Sequence, residues 1–249
     1  MALFKKTASK DASELKALQA ELEKLRSTTK ILQAELERSK TELESTKKAL
    51  AEALKNIEVK IPTPPKVKTI KDGHEYVDLG LPSGVKWATC NVGANKPEEY
   101  GDYYAWGETK TKEEYTRDNS ITDCKNKRDF SGSARSDAAR VNWGGGWRVP
   151  TKEEFTELGH LCTWKRVKQN GVGGTLVTGL NGNSIFFPDT GLRQGTKLWN
   201  AADWGAKYLT SSPSEESLSE CFVASIYGGE VSVYGDFRWN GYTVRPVIK

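Results

Sequence analysis

Leu15-Lys16-Ala17-Leu18-Gln19-Ala20-Glu21-Leu22-Glu23-Lys24-Leu25 opens a seven-residue repeat that runs on to Ile57 and divides this 249-residue chain into two unlike parts. With Leu15 at heptad position a, the a series is Leu15, Leu22, Thr29, Leu36, Leu43, Leu50 and Ile57. The d series is Leu18, Leu25, Leu32, Ser39, Thr46 and Ala53. Spacings of three and four keep one seam facing a partner only when helices under-wind around each other. Residues 11–59 therefore predict a left-handed coiled-coil stalk about 70 Å long. A single helix packed on its own domain would want a broader apolar face than this stripe. In a parallel assembly each g residue meets the e residue of the next heptad on its neighbour. Those pairs are Glu21 with Arg26, Glu35 with Lys40 and Glu42 with Lys47, all attractive, which favours a parallel homo-oligomer. Leucine at both a and d leaves two, three and four strands open, and the small or polar layers at Thr29, Ser39, Thr46 and Ala53 weaken the seam and bear on register.

Outward from the repeat, composition sets the other bounds. The net charge of +4 is mild and its basic residues are dispersed, so nucleic acid is not an expected partner. Lys5, Lys6 and Lys10 make a small basic start to residues 1–10, the expected attachment segment to a larger particle. That start lacks the apolar run of a secretory signal, and no stretch approaches the roughly 20 apolar residues of a membrane span. Synthesis in a cytoplasm is the expectation. Cys90, Cys124, Cys162 and Cys221 show no CxxC spacing, so no zinc knuckle and no other metal or cofactor site is expected, and reduced, mostly buried thiols are the default.

Beyond the repeat, Ile61-Pro62-Thr63-Pro64-Pro65 forbids helix and imposes an extended spacer within residues 60–68. The 8 Trp, 9 Tyr and 23 Gly lie beyond residue 70, in short β-type runs broken by turn residues. Residues 69–249 thus form a separate head, and the chain as a whole is α+β. Val67–Ile70 and His74–Leu79 flank a Lys71-Asp72-Gly73 hairpin turn. Trp87–Cys90 and Tyr103–Trp106 suit further short strands or buried corners. Thr151 with Glu154 forms a capping box, and Phe155, Leu158 and Cys162 share one face, so a helix is expected over Lys152–Cys162. Strands return from Thr175, with Asn181-Gly182 turning between Leu176-Val177 and Ile185–Phe187.

The end of the chain carries the expected ligand surface. Phe222–Tyr227 and Glu230–Tyr234 read as strands joined by Gly228-Gly229, a two-residue loop suited to positive φ. Alternation puts Phe222, Ala224, Ile226, Val231 and Val233 on a core face. The opposite face carries Ser225, Tyr227, Glu230, Ser232 and Tyr234, with Asp236, Arg238, Trp239, Asn240 and Tyr242 following. Its Tyr/Ser/Asn-rich composition matches that of binding paratopes, in which tyrosine supplies large contact area at low entropic cost, although an ordinary solvated strand face has a similar pattern.

Several runs of the head resemble the Fibrobacter succinogenes major paralogous domain family, whose fold is C-type-lectin-like and related to the formylglycine-generating enzymes. They are Tyr76-Val77-Asp78-Leu79-Gly80-Leu81-Pro82-Ser83-Gly84-Val85-Lys86-Trp87-Ala88, Gly101-Asp102-Tyr103-Tyr104-Ala105-Trp106-Gly107-Glu108, Gly145-Gly146-Trp147-Arg148-Val149-Pro150-Thr151, Asn181–Pro188 and Val244-Arg245-Pro246-Val247. The resemblance spans residues 72 to the end, with the stalk outside it. It implies that the head's termini pair near one another, that Arg-Val-Pro-Thr opens a helix, and that the last hairpin carries the ligand-facing surface. A coiled-coil stalk with such a head and no export signal is similar to a phage fibre, on the tail or the capsid. That analogy implies a trimer, a virion location and attachment to a host-surface glycan or protein. A bacterial surface protein and a purely structural decoration protein are the alternatives.

Catalysis and calcium both lack their parts. His74 and His160 are the only histidines, and His160 lies two residues from Cys162 on the expected helix, which points the two side chains apart. Relatives that oxidise cysteine use a close pair of thiols near the C-terminus, whereas Cys221 has no sequence neighbour. C-type lectins that bind calcium use Glu-Pro-Asn and Trp-Asn-Asp segments, and here Trp239-Asn240-Gly241 has Gly where the acid would stand. Trp143-Gly144-Gly145-Gly146-Trp147 lacks the Gly-Lys-Ser/Thr ending of a phosphate loop and reads as packing anchors around a turn. A non-enzymatic binding protein is the expectation.

Overall fold

A computed structural model describes residues 2–56, 69–123, 128–199 and 205–249, and the side chains of the first helix at 16 and 18–49. The chain divides into two compact units, Met1–Lys66 and Val67–Lys249. The described part of the first is one helix, α1 (Ala2–Asn56), which takes in residues 2–10. Leu18, Leu22, Leu25, Leu32, Leu36 and Leu43 are all between 50% and 63% exposed on it. Thr29 Oγ1 donates to the Leu25 carbonyl and Thr46 Oγ1 to the Glu42 carbonyl, both at 2.8 Å. These seam hydroxyls are thus satisfied within their own helix. Ile57, the proline spacer and Cys124 lie outside the described residues, as do the side chains of Leu15 and Leu50.

The second unit opens with a hairpin of β1 (Thr69–Lys71) and β2 (His74–Asp78), turned by Asp72 and Gly73 at φ 50° and 84°. Two positive φ values in a two-residue loop suit the right-handed twist of the flanking strands. β3 (Lys86–Ala88) pairs with β2 and with the last strand, β14 (Val247–Ile248), so the head's first and last strands share one four-stranded sheet. A five-stranded sheet follows the order β12-β11-β10-β13-β4. Its members are β4 (Tyr103–Tyr104), β10 (Ala206–Pro213), β11 (Glu220–Tyr227), β12 (Glu230–Phe237) and β13 (Tyr242–Thr243). β5 (Thr163–Gln169), β6 (Val172–Thr178) and β7 (Ser184–Pro188) make a third sheet, and β8 (Leu192–Gln194) with β9 (Lys197–Trp199) a two-stranded one.

Two helices complete the head. In α3 (Lys152–Leu161) the capping box is present, with Thr151 Oγ1 accepting from Glu154 N, and Arg148 forms an ion pair with Glu154. The Arg-Val-Pro-Thr run is thereby welded to the helix it opens. A Cβ on Gly159 would lie 2.4 Å from Val231 Cγ1, so the absent side chain lets α3 approach β12 closely. α2 (Ala138–Trp143) was not expected, although its N-cap Asp137 before two alanines is a legible start signal. Nor was β5, which begins directly after α3.

Apolar side chains gather on both sides of the five-stranded sheet. One cluster holds Trp87, Phe155, Leu158, Phe187, Tyr208, Ala224 and Ile226, with the Trp87 and Phe155 rings 4.9 Å apart. The other holds Tyr104, Trp106, Leu209, Cys221, Val223, Tyr242 and Val244. The buried face of β11 changes along its length: Cys221 and Val223 are buried in the second cluster, Ala224 and Ile226 in the first, and Phe222 is half-buried. Trp143 and Trp147 are packing anchors, as their spacing suggests: His74 stacks on Trp143 at 3.6 Å, and Trp147 Nε1 donates to the Lys71 carbonyl at 3.2 Å.

Candidate ligand-binding site

The hairpin β11–β12 pairs Val223 with Tyr234, Ser225 with Ser232 and Tyr227 with Glu230, and its two-residue turn holds Gly228 and Gly229 at φ 63° and 88°. On one face Ala224 and Ile226 are buried, and Val231 and Val233 pack against the same core. On the other, Tyr227, Glu230, Ser232 and Tyr234 are exposed and Ser225 is half-buried. Tyr227 and Tyr234 are 63% and 38% exposed. The two-residue period predicts this partition, because the turn sets the register and the core selects the face. Phe222 is only half-buried, with the Lys152 ammonium 4.4 Å from its ring centre.

Past β12 the expected ligand surface is only partly present. Strand geometry ends at Phe237 and residues 238–240 form a turn, so the two-residue period no longer assigns faces there. Arg238 is fully buried, its guanidinium 4.0 Å above the Trp106 ring and its Nε donating to the Glu220 carbonyl at 2.9 Å. Tyr242 is equally buried, and its hydroxyl donates to the Phe237 carbonyl at 2.9 Å. These two are corrected from ligand-facing to architectural. Trp239 is half-buried and stacks on Phe237, the rings 4.2 Å apart and inclined by 13°. Asn240 is only 3% exposed.

What the fold builds at this place is a cleft of about 250 Å³ beside the tyrosine face. The hairpin β8–β9 contributes Leu192, Gln194 and Trp199, while β10, β12 and the turn after it contribute Lys207, Asp236, Phe237 and Asn240. Trp199 and Phe237 are 42% and 41% exposed, an unusual outlay of aromatic surface next to polar groups. Lys207, 6% exposed, connects cleft and face: its Nζ lies 2.8 Å from Asp236 Oδ2 and 5.0 Å from the centre of the Tyr234 ring. Burial works to lower its pKa, but the hydrogen bonds and charges of Asp236 and Tyr234 outweigh it, so the ammonium is held above its ordinary value. Asp236 Oδ1 accepts from Phe237 N at 2.8 Å and more weakly from Asn240 Nδ2 at 3.4 Å. Asn240 Oδ1 has no hydrogen-bond partner.

Of the expected residues, Ser225, Tyr227, Glu230, Ser232, Tyr234, Asp236 and Asn240 lie on this face or at this cleft. Sequence reading missed Lys207, Trp199 and Phe237. Lys207 carries no local signal, since only the β10–β11 register, which sets it opposite Ser225, brings it here. Phe237 shares the parity of Val231 and Val233 and would have been placed in the core.

A second cleft of about 340 Å³ is lined by Tyr103, Lys112, Tyr115 and Arg193 among others. Its tyrosine hydroxyls are committed to the fold, Tyr103 donating to the Thr190 carbonyl and Tyr115 to the Tyr103 carbonyl, each at 2.5 Å. The described thiols are shifted away from reactivity: burial raises Cys90, pushes Cys162 up to about 11 and raises Cys221 well above the usual thiol range. A nucleophilic cysteine needs the opposite shift. No group of three or more His, Cys, Asp or Glu side chains suited to a metal ion occurs among the described residues, and no described helix is long and apolar enough to cross a membrane.

Comparison with protein-family models, curated proteins and solved structures gives no match.

Proposed function

We propose that this chain is a non-enzymatic fibre-type protein of a phage, on its tail or capsid, whose head binds a host-surface glycan or protein. In this reading the head belongs to the Fibrobacter succinogenes major paralogous domain family with a C-type-lectin-like fold, and α1 assembles a parallel homo-oligomer, preferentially a trimer. The observation that carries it is the exposed face of Tyr227, Ser232 and Tyr234, with the Tyr234 ring 5.0 Å from the Lys207 ammonium that also lines the cleft of Trp199 and Phe237. Aromatic contact area set among a few fixed polar groups is the composition of a recognition surface. The exposed leucine seam and its attractive Glu–Lys and Glu–Arg pairs support assembly, and several heads on one stalk raise effective concentration without new contacts. A virion location follows from the fibre reading, and the bacterial cell surface is the competing one.

The test is an array of bacterial glycans probed with the intact protein and with a Tyr227→Ala, Tyr234→Ala double variant. Binding by the parent protein that falls tenfold or more in the variant is the expected result. No binding to any glycan or whole cell would favour a decoration protein, and a purely structural role for the head.

A further inference from the structure

We infer that the cleft between the β8–β9 hairpin and the end of β12 binds one uncharged pyranose ring, by aromatic stacking and hydroxyl hydrogen bonds and without a metal ion. This rests on the binding function proposed above and narrows it to one place and one ligand class. Lys207 and Asp236 are both nearly buried and lie 2.8 Å apart, so each already neutralises the other. A ligand carboxylate entering beside them would meet Asp236, and a ligand ammonium would meet Lys207, so neither finds net opposite charge. A hydroxyl suits the pair, because it donates and accepts at once and can present either sense to adjoining groups.

Asn240 adds a demand for a donor. Its Oδ1 is buried without a partner, and such a group costs free energy until a hydrogen reaches it. The contact from Nδ2 to Asp236 identifies Oδ1 as the free acceptor, and the last torsion of an asparagine is soft enough to turn that oxygen toward an incoming O–H. Around these polar atoms stand two aromatic rings, each about two-fifths exposed, and Phe237 is held in place by its stack on Trp239. A ligand matching them needs apolar C–H faces as well as hydroxyls, the combination that a sugar ring carries and a polar peptide side chain does not.

Size and ion chemistry agree. The volume of about 250 Å³ falls below the range of about 300–1,000 Å³ usual for drug-sized ligands. One ring fits, with neighbouring residues of a longer glycan left to the Tyr227 and Tyr234 face. Calcium needs six or more oxygens at close range. Here Asp236 Oδ2 is taken by Lys207, whose ammonium repels a cation.

The experiment is saturation-transfer NMR on the full chain with the methyl glycosides of glucose, galactose, mannose and N-acetylglucosamine, with methyl glucuronide as the charged control, each with and without EDTA. Expected are saturation of at least one neutral glycoside, no effect of EDTA, a loss of tenfold or more in Trp199→Ala, and retention in Trp199→Phe. Phe237→Ala provides a second removal of the platform should Trp199→Ala disturb the far-UV spectrum. The inference is overturned by binding of the charged sugar alone, by abolition with EDTA, or by no saturation of any neutral glycoside. It is also overturned if neutral-sugar binding survives both platform variants but is lost in Tyr227→Ala, Tyr234→Ala; that outcome leaves the head's binding role standing and moves it to the tyrosine face. Array binding confined to peptides would likewise retain a recognition function while removing the sugar cleft.

Discussion

Among single residues, Arg245 shows how far the head depends on one buried cation. It is fully buried, with Nε donating to Asn91 Oδ1 at 2.7 Å, Nη1 to the Ala88 and Thr89 carbonyls at 3.0 and 2.6 Å, and Nη2 to the Phe186 carbonyl at 3.1 Å. Its guanidinium also lies 4.6 Å from the centre of the Phe187 ring. Desolvation lowers its pKa, and the surrounding carbonyl dipoles take the place of an acidic partner. Arg245→Ala should cost about 3–5 kcal/mol in urea denaturation, because it leaves those acceptors unpaired and opens a cavity. Arg245→Lys should recover little, since an ammonium lacks the planar fork that spans them. His74 offers a pH test. Burial lowers its pKa, with Asp72 opposing, so the folded head holds that proton less tightly than the unfolded chain. The associated stability is complete above the unfolded pKa of about 6.5 and is lost as pH falls through the lower folded value. The melting temperature of the parent should therefore drop more between pH 7.5 and 5 than that of His74→Gln, and equal drops would show that the stacked imidazole titrates normally.

At the scale of elements, α1 is the least self-sufficient. Six described seam leucines remain half or more exposed, and burying the rest of each would contribute about 1 kcal/mol. A helix gains most of its stability from packing rather than propensity, and in the proposed assembly a neighbouring chain along the seam would supply that packing. The intrahelical pairs Lys40–Glu37 and Lys47–Glu44, at 2.9 and 3.1 Å, are exposed and worth little, leaving both lysines available for exchange to a neighbouring chain. Leu25→Asp with Leu36→Asp should shift sedimentation at micromolar concentration from an oligomer to a monomer and reduce far-UV helicity. A parent protein that already sediments as a monomer would remove the stalk from the proposed function. The capping box of α3 and the two-residue turns at 72–73 and 228–229 were legible because each acts through neighbours in sequence. β5 was not, because its pairing with β6 rests on contacts across the sheet and its own residues do not alternate cleanly.

Across the whole molecule, a long helix, a β-rich head, the division between them and the exposed side of the last hairpin were all determined by the sequence alone. Those features follow from periodicity, proline and glycine placement and turn chemistry, which act over a few residues. The tertiary structure alone decided which residues beyond the hairpin are surface and which are core. Arg238 and Tyr242 continue the chain past a strand end, where alternation stops carrying information, and they fold inward to hold Trp106 and the Phe237 carbonyl. The cleft was likewise beyond sequence reading. Lys207, Trp199 and Phe237 come from three separated strands, and only strand order and register bring an ammonium, a carboxylate, an amide and two aromatic rings to one place.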